Sequence, residues 1–261
     1  MTGPAGGSVV QAGQTAGDRI WTERAAAYGW NTEATLASRL KVELVEKYLS
    51  SQSRVCDIGC GNGLFLRVLA PHCAHVTGID LNADMLTEAR AMLARENIGN
   101  VELLQCGADA LPLPDSSVDL VYCFSTLLLI PNVGAALAEM VRVLSPGGYL
   151  ILDVAGRNNL SAPYWWLWYR RHGHFGIRTF SYPAIGKALD ALQCRIIEEH
   201  ALGFCDQWKY VPGLHLAKSL EKVFHATTDR DGNLDYRITN VPGLSRFASR
   251  WYLVAQKDGP P

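Results

Sequence analysis

No C-x-x-C pair occurs among the seven cysteines (56, 60, 73, 106, 123, 194 and 205), and no His/Cys cluster has zinc-finger spacing. That excludes the common dithiol and structural zinc motifs, and no metal is expected. An odd cysteine count without a signal peptide reads as reduced, mostly buried thiols. No apolar run approaches the ~18 residues a membrane-spanning helix needs, so no integral membrane span is expected. The N-terminus has neither a basic n-region nor an apolar h-region, which excludes a secretory signal and leaves the cytoplasm as the expected compartment. Neither sign of charge dominates. Lys and Arg number 24 against 25 Asp and Glu, a formal net charge of −1. The basic footprint of a nucleic-acid binder is missing, so nucleic acid is not an expected partner. Internal repeats are absent too.

What remains is a globular composition: 261 residues, 48% hydrophobic and 19% charged. That is enough chain for one large α/β domain with a small insertion. Residues 1–17 are small, polar and glycine-rich, without the apolar side chains to fold, and are expected to be disordered. Residues 18–261 form the expected single domain. It begins with cap helices within 18–50: Ile20, Trp21, Ala25, Ala26 and Tyr28 suggest a short helix, broken at 28–31. Leu36, Leu40, Leu44, Val45 and Tyr48 then make one stripe of a second helix.

The stretch with the most chemical content is Val-Cys-Asp-Ile-Gly-Cys-Gly-Asn-Gly at 55–63. Its apolar start reads as a short buried strand, its glycines as a tight turn, and Leu64, Val68 and Leu69 have helical spacing. Glycine permits positive φ and lets a ligand approach where a Cβ would obstruct it. Unpaired N–H groups at the start of the helix favour anionic or polar ligand atoms. A nucleotide-type cofactor across the tip of the first strand of an open α/β sheet is therefore expected. The dinucleotide fingerprint G-x-G-x-x-G does not fit, because the third glycine comes one position early and Leu64 stands where Gly is wanted. A second strand, His75–Asp80, ends in a carboxylate about 20 residues after the first glycine, where an acid can accept both hydrogen bonds of a ribose diol. Its competing role is to cap the next helix.

The D-x-G-x-G-x-G form resembles motif I of the class I S-adenosylmethionine (SAM) dependent methyltransferases. The acid ending strand two and the V-L-x-P-G-G-x-L element at 143–150 extend the resemblance over residues 28–154. It implies a Rossmann-like open sheet of seven strands, mostly parallel with an antiparallel last strand, helices on both faces, and SAM as cofactor. In the family the first acid and loop hold the amino-acid end of SAM, which points to Asp57, Gly59, Cys60, Gly61 and Gly63. Asp80 would take the ribose, Leu81 would pack on adenine and Met85 would stand near it. Tyr28 resembles the upstream aromatic that closes over the cofactor. The third strand, Val101–Gln105, leads to a segment ending in Leu-Pro, but the acid the family places before alanine falls on Gly107. Ala108 and a shifted Asp109 are the substitutes. The fourth strand, 118–124, brings Cys123 and Phe124 to face the sulfonium. Where the family often carries a histidine pair, this chain has Leu128 and Leu129, so a base at that position is not expected.

The later third carries Tyr164, Trp165, Trp166, Trp168 and Tyr169 ahead of Arg170, Arg171, His172 and His174. Insertions at this point of the family commonly cover the active site, so residues of about 157–181 are expected to form a substrate lid. Plain packing and a lipid-facing contact compete with it. Trp30, Tyr164, Trp165, Trp168 and Tyr169 are the candidate substrate contacts. His172 and His174 are two apart, a spacing that points them to different helix faces and suits no shared metal. His172, His174 and Asp153 are the candidate general bases, with His200 and His215 behind them. A helix at 182–192, strands at 195–201 and 250–257, a helix at 214–224 and a polar turn at 229–233 complete the chain.

Methyl transfer from a sulfonium is an in-line displacement whose catalysis is largely positioning, with a base needed only for a weakly nucleophilic acceptor. The expected function is methyl transfer to a small, largely apolar or aromatic acceptor, at oxygen or nitrogen. The expected partners are that acceptor and, at most, a second copy in a homodimer. The alternative is a SAM-binding protein that acts as a cyclase or binding module. A short-chain dehydrogenase is disfavoured, since no tyrosine has a lysine four residues later.

Overall fold

The computed structural model of the chain describes residues 35–159, 161–172, 178–205, 223–224 and 227–259. Helix α1 (Leu36–Tyr48) precedes β1 (Arg54–Ile58), and α2 (Leu64–Leu69) leads into β2 (His75–Asp80). Then come α3 (Ala83–Arg95), β3 (Val101–Gln105), β4 (Val118–Cys123), α4 (Val133–Val143) and β5 (Leu144–Ala155). Helices α5 (Ala162–His172) and α6 (Tyr182–Ala191), β6 (Cys194–Leu202), α7 (Leu234–Thr239) and β7 (Arg250–Lys257) follow.

The strands make one sheet in the order β3-β2-β1-β4-β5-β7-β6. Neighbours from β3 to β5 pair in parallel, and β7 alone runs antiparallel, between β5 and β6. This is the seven-stranded architecture expected. Period-2 alternation sends Leu120, Tyr122 and Phe124 into one apolar layer and Val121 and Cys123 into the other. The first layer is covered by α1, α2 and α3, the second by α4 and α6. Chain order reverses between β1 and β4, so the loops leaving these two strands diverge and open a crevice at their carboxyl ends.

One local expectation changes. The Ser-Pro-Gly-Gly run at 145–148, whose residue types suggest a turn ahead of the next strand, lies inside β5, where Val118 pairs with Leu144 but Leu120 already pairs with Tyr149. The intervening residues bulge out, with Gly147 at φ 79. Lys257 of β7 then donates to the carbonyls of Val141 and Leu144 at 2.8 and 2.7 Å, satisfying acceptors at the end of α4. No helix among the described residues is long and apolar enough to cross a membrane.

Candidate functional site

The turn after β1 is held in shape by glycine. Gly59, Gly61 and Gly63 have φ of 77, 54 and 86, a region costly for other residues. Gly59 and Cys60 both donate their N–H to the carbonyl of Ile79, at 2.7 and 2.9 Å, tying the turn to β2. Space matters as much as angle. A Cβ on Gly59 would lie 2.1 Å from Thr126 Oγ1, and one on Gly63 would lie 2.6 Å from the Met92 methyl. Buried Met85 floors the loop, its sulfur 3.9 Å from where a Cβ on Gly61 would stand.

Asp80 locks this turn from the neighbouring strand. Its Oδ2 accepts from Gly61 N and its Oδ1 from Asn82 N, each at 2.9 Å. Burial raises its pKa, while the N–H groups of Asn82, Gly61 and Leu81 pull it back. The N-cap of α3 is Asn82, whose side chain accepts from Met85 N at 2.9 Å. Asp80 is therefore not the cap, and its carboxylate keeps acceptor capacity for a ligand hydroxyl. Leu81 beside it is 64% exposed, an apolar face standing open at the crevice.

Asp57, at the head of the turn, is 3% exposed, and its Oδ2 has no hydrogen-bond partner among the described residues. Burial pushes its pKa up to about 8. The hydroxyl of Tyr122, its partner across the β1–β4 ladder, holds the rise back without closing a hydrogen bond of ordinary geometry. Two buried polar groups thus stand unpartnered beside a glycine cradle. Such groups are costly unless something satisfies them. A cationic ammonium such as the amino-acid end of SAM fits this orphaned carboxyl.

On the far side of β2, the carboxylate of Asp109 folds back over Gly107, its Oδ1 2.7 Å from where a Cβ at 107 would sit. The Asp109 carboxylate thus occupies space that a side chain at 107 would take. Ala108 is half-buried between them. Cys60, Cys123 and Phe124 are buried. Burial raises both thiols well above their usual value, which makes them inert lining. Phe124 stacks on Tyr122 with ring centroids 5.2 Å apart and meets Phe65 edge-on at 5.2 Å.

Asp153, a candidate base by sequence, sits in a buried ion pair. Lys41 Nζ of α1 is 2.8 Å from its Oδ2, and Arg250 Nη1 is 3.4 Å from the same atom. Ser125 donates its N–H to Oδ1 and its hydroxyl to Oδ2. Burial alone would raise the Asp153 pKa, but Lys41 and Arg250 outweigh it and hold it below the usual carboxylate range. A carboxylate so held is suited to fixing Ser125 and poorly suited to taking a proton.

His200 is engaged by Glu198 at 3.0 Å and Tyr236 at 2.7 Å, on the edge strand β6. Tyr164 lies on α5 and is 41% exposed. Trp165, Trp168, Tyr169 and His172 lie on the same helix, with side chains outside the described set, and Tyr28, Trp30, His174 and His215 are outside the described residues. No group of three or more His, Cys, Asp and Glu among the described residues could hold a metal ion. Lys41, Ser125, Thr126 and Tyr122 escaped the sequence reading. Lys41 alone left a signal, a lysine inside the apolar stripe of α1.

Residues 56–152 match a family model described as a methyltransferase domain. A fatty-acid O-methyltransferase of Mycolicibacterium smegmatis is 37% identical over 191 residues, 67% of this chain and 65% of that protein. A demethylmenaquinone methyltransferase of Listeria monocytogenes is 37% identical over 101 residues, 38% of this chain and 43% of that protein. The chain thus spans less than two thirds of either relative's length. Among solved structures, the [4+2]-cyclase SpnF superposes with a TM-score of 0.63 over 93% of both chains at 18% identity, a likeness of fold alone.

Proposed function

We infer, from a chain that carries a class I S-adenosylmethionine-dependent methyltransferase domain, that the protein transfers a methyl group to a small, largely apolar acceptor at oxygen or nitrogen. The observation that carries this reading is the glycine turn pinned to Asp80 beside the orphaned carboxyl of Asp57. Bound SAM supplies a methyl group already made electrophilic by the sulfonium. The chain's own residues bind and orient. Asp57 receives the ammonium, the backbone of 59–63 accommodates the amino-acid end, Asp80 accepts from the ribose hydroxyls, and Leu81 and Asp109 serve the adenine.

Beyond β4 the wall is apolar. The short turn Leu127–Leu129 carries no protonatable side chain, and Leu127, Leu128 and Ile130 are buried. An apolar acceptor suits this wall, and the named relatives act on a fatty acid and on demethylmenaquinone. Catalysis here rests on alignment and on keeping water out, each of which lowers the barrier without a base. Incubation with SAM and a panel of apolar carboxylic acids, phenols and amines, followed by mass spectrometry for S-adenosylhomocysteine, tests the reading. Product formed with one class of acceptor supports it. A protein that binds SAM yet yields none with any acceptor would be a cofactor-binding scaffold.

A further inference from the structure

A second cleft, of about 420 Å³, opens at the exit of β5, two strands along the sheet from the glycine turn after β1. Its lining is Pro131, Val133, Arg157, Arg178, Thr179 and Phe180. Three backbone hydrogen bonds build it: Phe180 N to Ala155 O at 2.8 Å, Arg157 N to Phe180 O at 2.8 Å, and Arg178 N to Leu128 O at 2.9 Å. The last bond anchors one arginine directly to the loop that leaves β4. The cleft therefore lies at the carboxyl edge of the parallel strands, where ligands of such sheets collect.

Its charge is unbalanced. Arg54, Arg142, Arg195 and Arg250 each stand 2.6 to 3.4 Å from a carboxylate. Neither Arg157 nor Arg178 has an acid within ion-pair distance among the described residues. The Arg157 guanidinium makes one long hydrogen bond, 3.4 Å to the carbonyl of Thr179. Two guanidiniums in one cleft repel each other, and an oxyanion between them relieves that cost and accepts from their planar donor forks. Pro131, Val133 and Phe180 supply apolar walls beside them.

We propose that this cleft holds the carboxylate of an amphiphilic acceptor, an acid with a long apolar body, with Arg157 and Arg178 as counter-charges. The proposal rests on the methyl-transfer reading and narrows it. A carboxylate oxygen attacks the methyl carbon as it stands, and the carbon–sulfur pair leaves on sulfur. A neutral ester and a neutral thioether result, and no proton moves. The missing protonatable group on Leu127–Leu129 is then no defect.

The test titrates the full chain with laurate, 1-dodecanol and dodecyl phosphate below their micelle concentrations, with and without S-adenosylhomocysteine. Laurate is expected to bind at least about tenfold tighter than dodecanol, the effect of one or two charge-assisted hydrogen bonds. The double variant Arg157→Gln/Arg178→Gln should erase that preference while leaving dodecanol and S-adenosylhomocysteine binding unchanged. Equal binding of laurate and dodecanol to the unmodified protein overturns the proposal without any variant. So does a laurate preference that survives the double substitution, and a tenfold preference for dodecyl phosphate over laurate would make the cleft a phosphate site instead. The two readings fail separately. Loss of S-adenosylhomocysteine affinity with the laurate preference intact would sink methyl transfer and leave the anion cleft standing.

Discussion

Replacing Lys41 by methionine removes one partner of a buried ion pair and keeps the length of the side chain. Lys41 and Asp153 are 3% and 1% exposed, and their charged atoms lie 2.8 Å apart. Burial pulls the lysine below its usual pKa against the opposing pull of Asp153, so the pair is held together at a desolvation cost. Removing one partner of such a pair costs ~3–5 kcal/mol, because the other charge is left buried. Here Arg250 and Ser125 still reach Asp153, so a loss of about 2–3 kcal/mol is expected. The effect reaches further than stability. Ser125 has φ 56, which for a residue with a Cβ costs ~1–2 kcal/mol. Lys41 donates to its hydroxyl at 3.0 Å, and Thr126, next along, packs on Gly59. The variant should therefore lose S-adenosylhomocysteine affinity as well as denaturant resistance. Adding Ser125→Gly, which takes positive φ without strain, should restore affinity more than stability. Urea unfolding and calorimetric titration measure the two. If Lys41→Met loses under about 0.5 kcal/mol of stability, or loses stability with cofactor affinity intact, Lys41 is not a strut for this loop.

Three further expectations follow from the same geometry. Asp57, raised to about 8, must lose its proton to meet an ammonium. Affinity for S-adenosylhomocysteine should therefore rise up to about tenfold per pH unit below 8 and level off above it. Calorimetry in buffers of different ionisation enthalpy should register the released proton, and Asp57→Asn should flatten the slope. The free protein carries the opposite dependence: an acid raised by folding keeps its proton longer than in the unfolded chain, so this group's contribution weakens as pH climbs from the ordinary carboxylate range toward 8. Gly59→Ala should cost at least ~2 kcal/mol and abolish cofactor binding, because Cβ meets both a positive φ and Thr126; an unfolding curve and a titration like those of the native protein would refute the close-approach argument. Asp109→Ala should weaken S-adenosylhomocysteine about tenfold with no change in unfolding midpoint, since Asp109 is exposed; unchanged affinity would remove it from the adenine end.

Much of the frame was legible because its physics is local. The strands His75–Asp80, Val101–Gln105 and Arg250–Lys257 have the bounds their apolar runs suggest. The second helix of the cap region appears at Leu36–Tyr48 on the stripe that defined it. Less legible features depend on partners distant in sequence. The 145–148 turn became a bulge because β4 pairs on both sides of it. Capping the next helix was the competing role for Asp80, but Asn82, two residues later, is equally equipped and takes the position. Asp153 looked like a free carboxylate because its partners come from positions 41, 125 and 250. Asp109 was readable only as a departure from the family pattern, and folding back onto Gly107 is a property of that loop.

The placement of β7 between β5 and β6 has a consequence for synthesis on the ribosome. While the nascent chain is still short of residue 250, β5 and β6 have been made, yet each lacks the neighbour that will cover its backbone. Two raw edges then wait on a single late segment, and closing them pairs residues far apart in the chain, a slow step. Exposed edges of this kind recruit other chains. A ribosome stalled before that segment should leave a product that clumps, and supplying residues 250–257 as a separate peptide should rescue it.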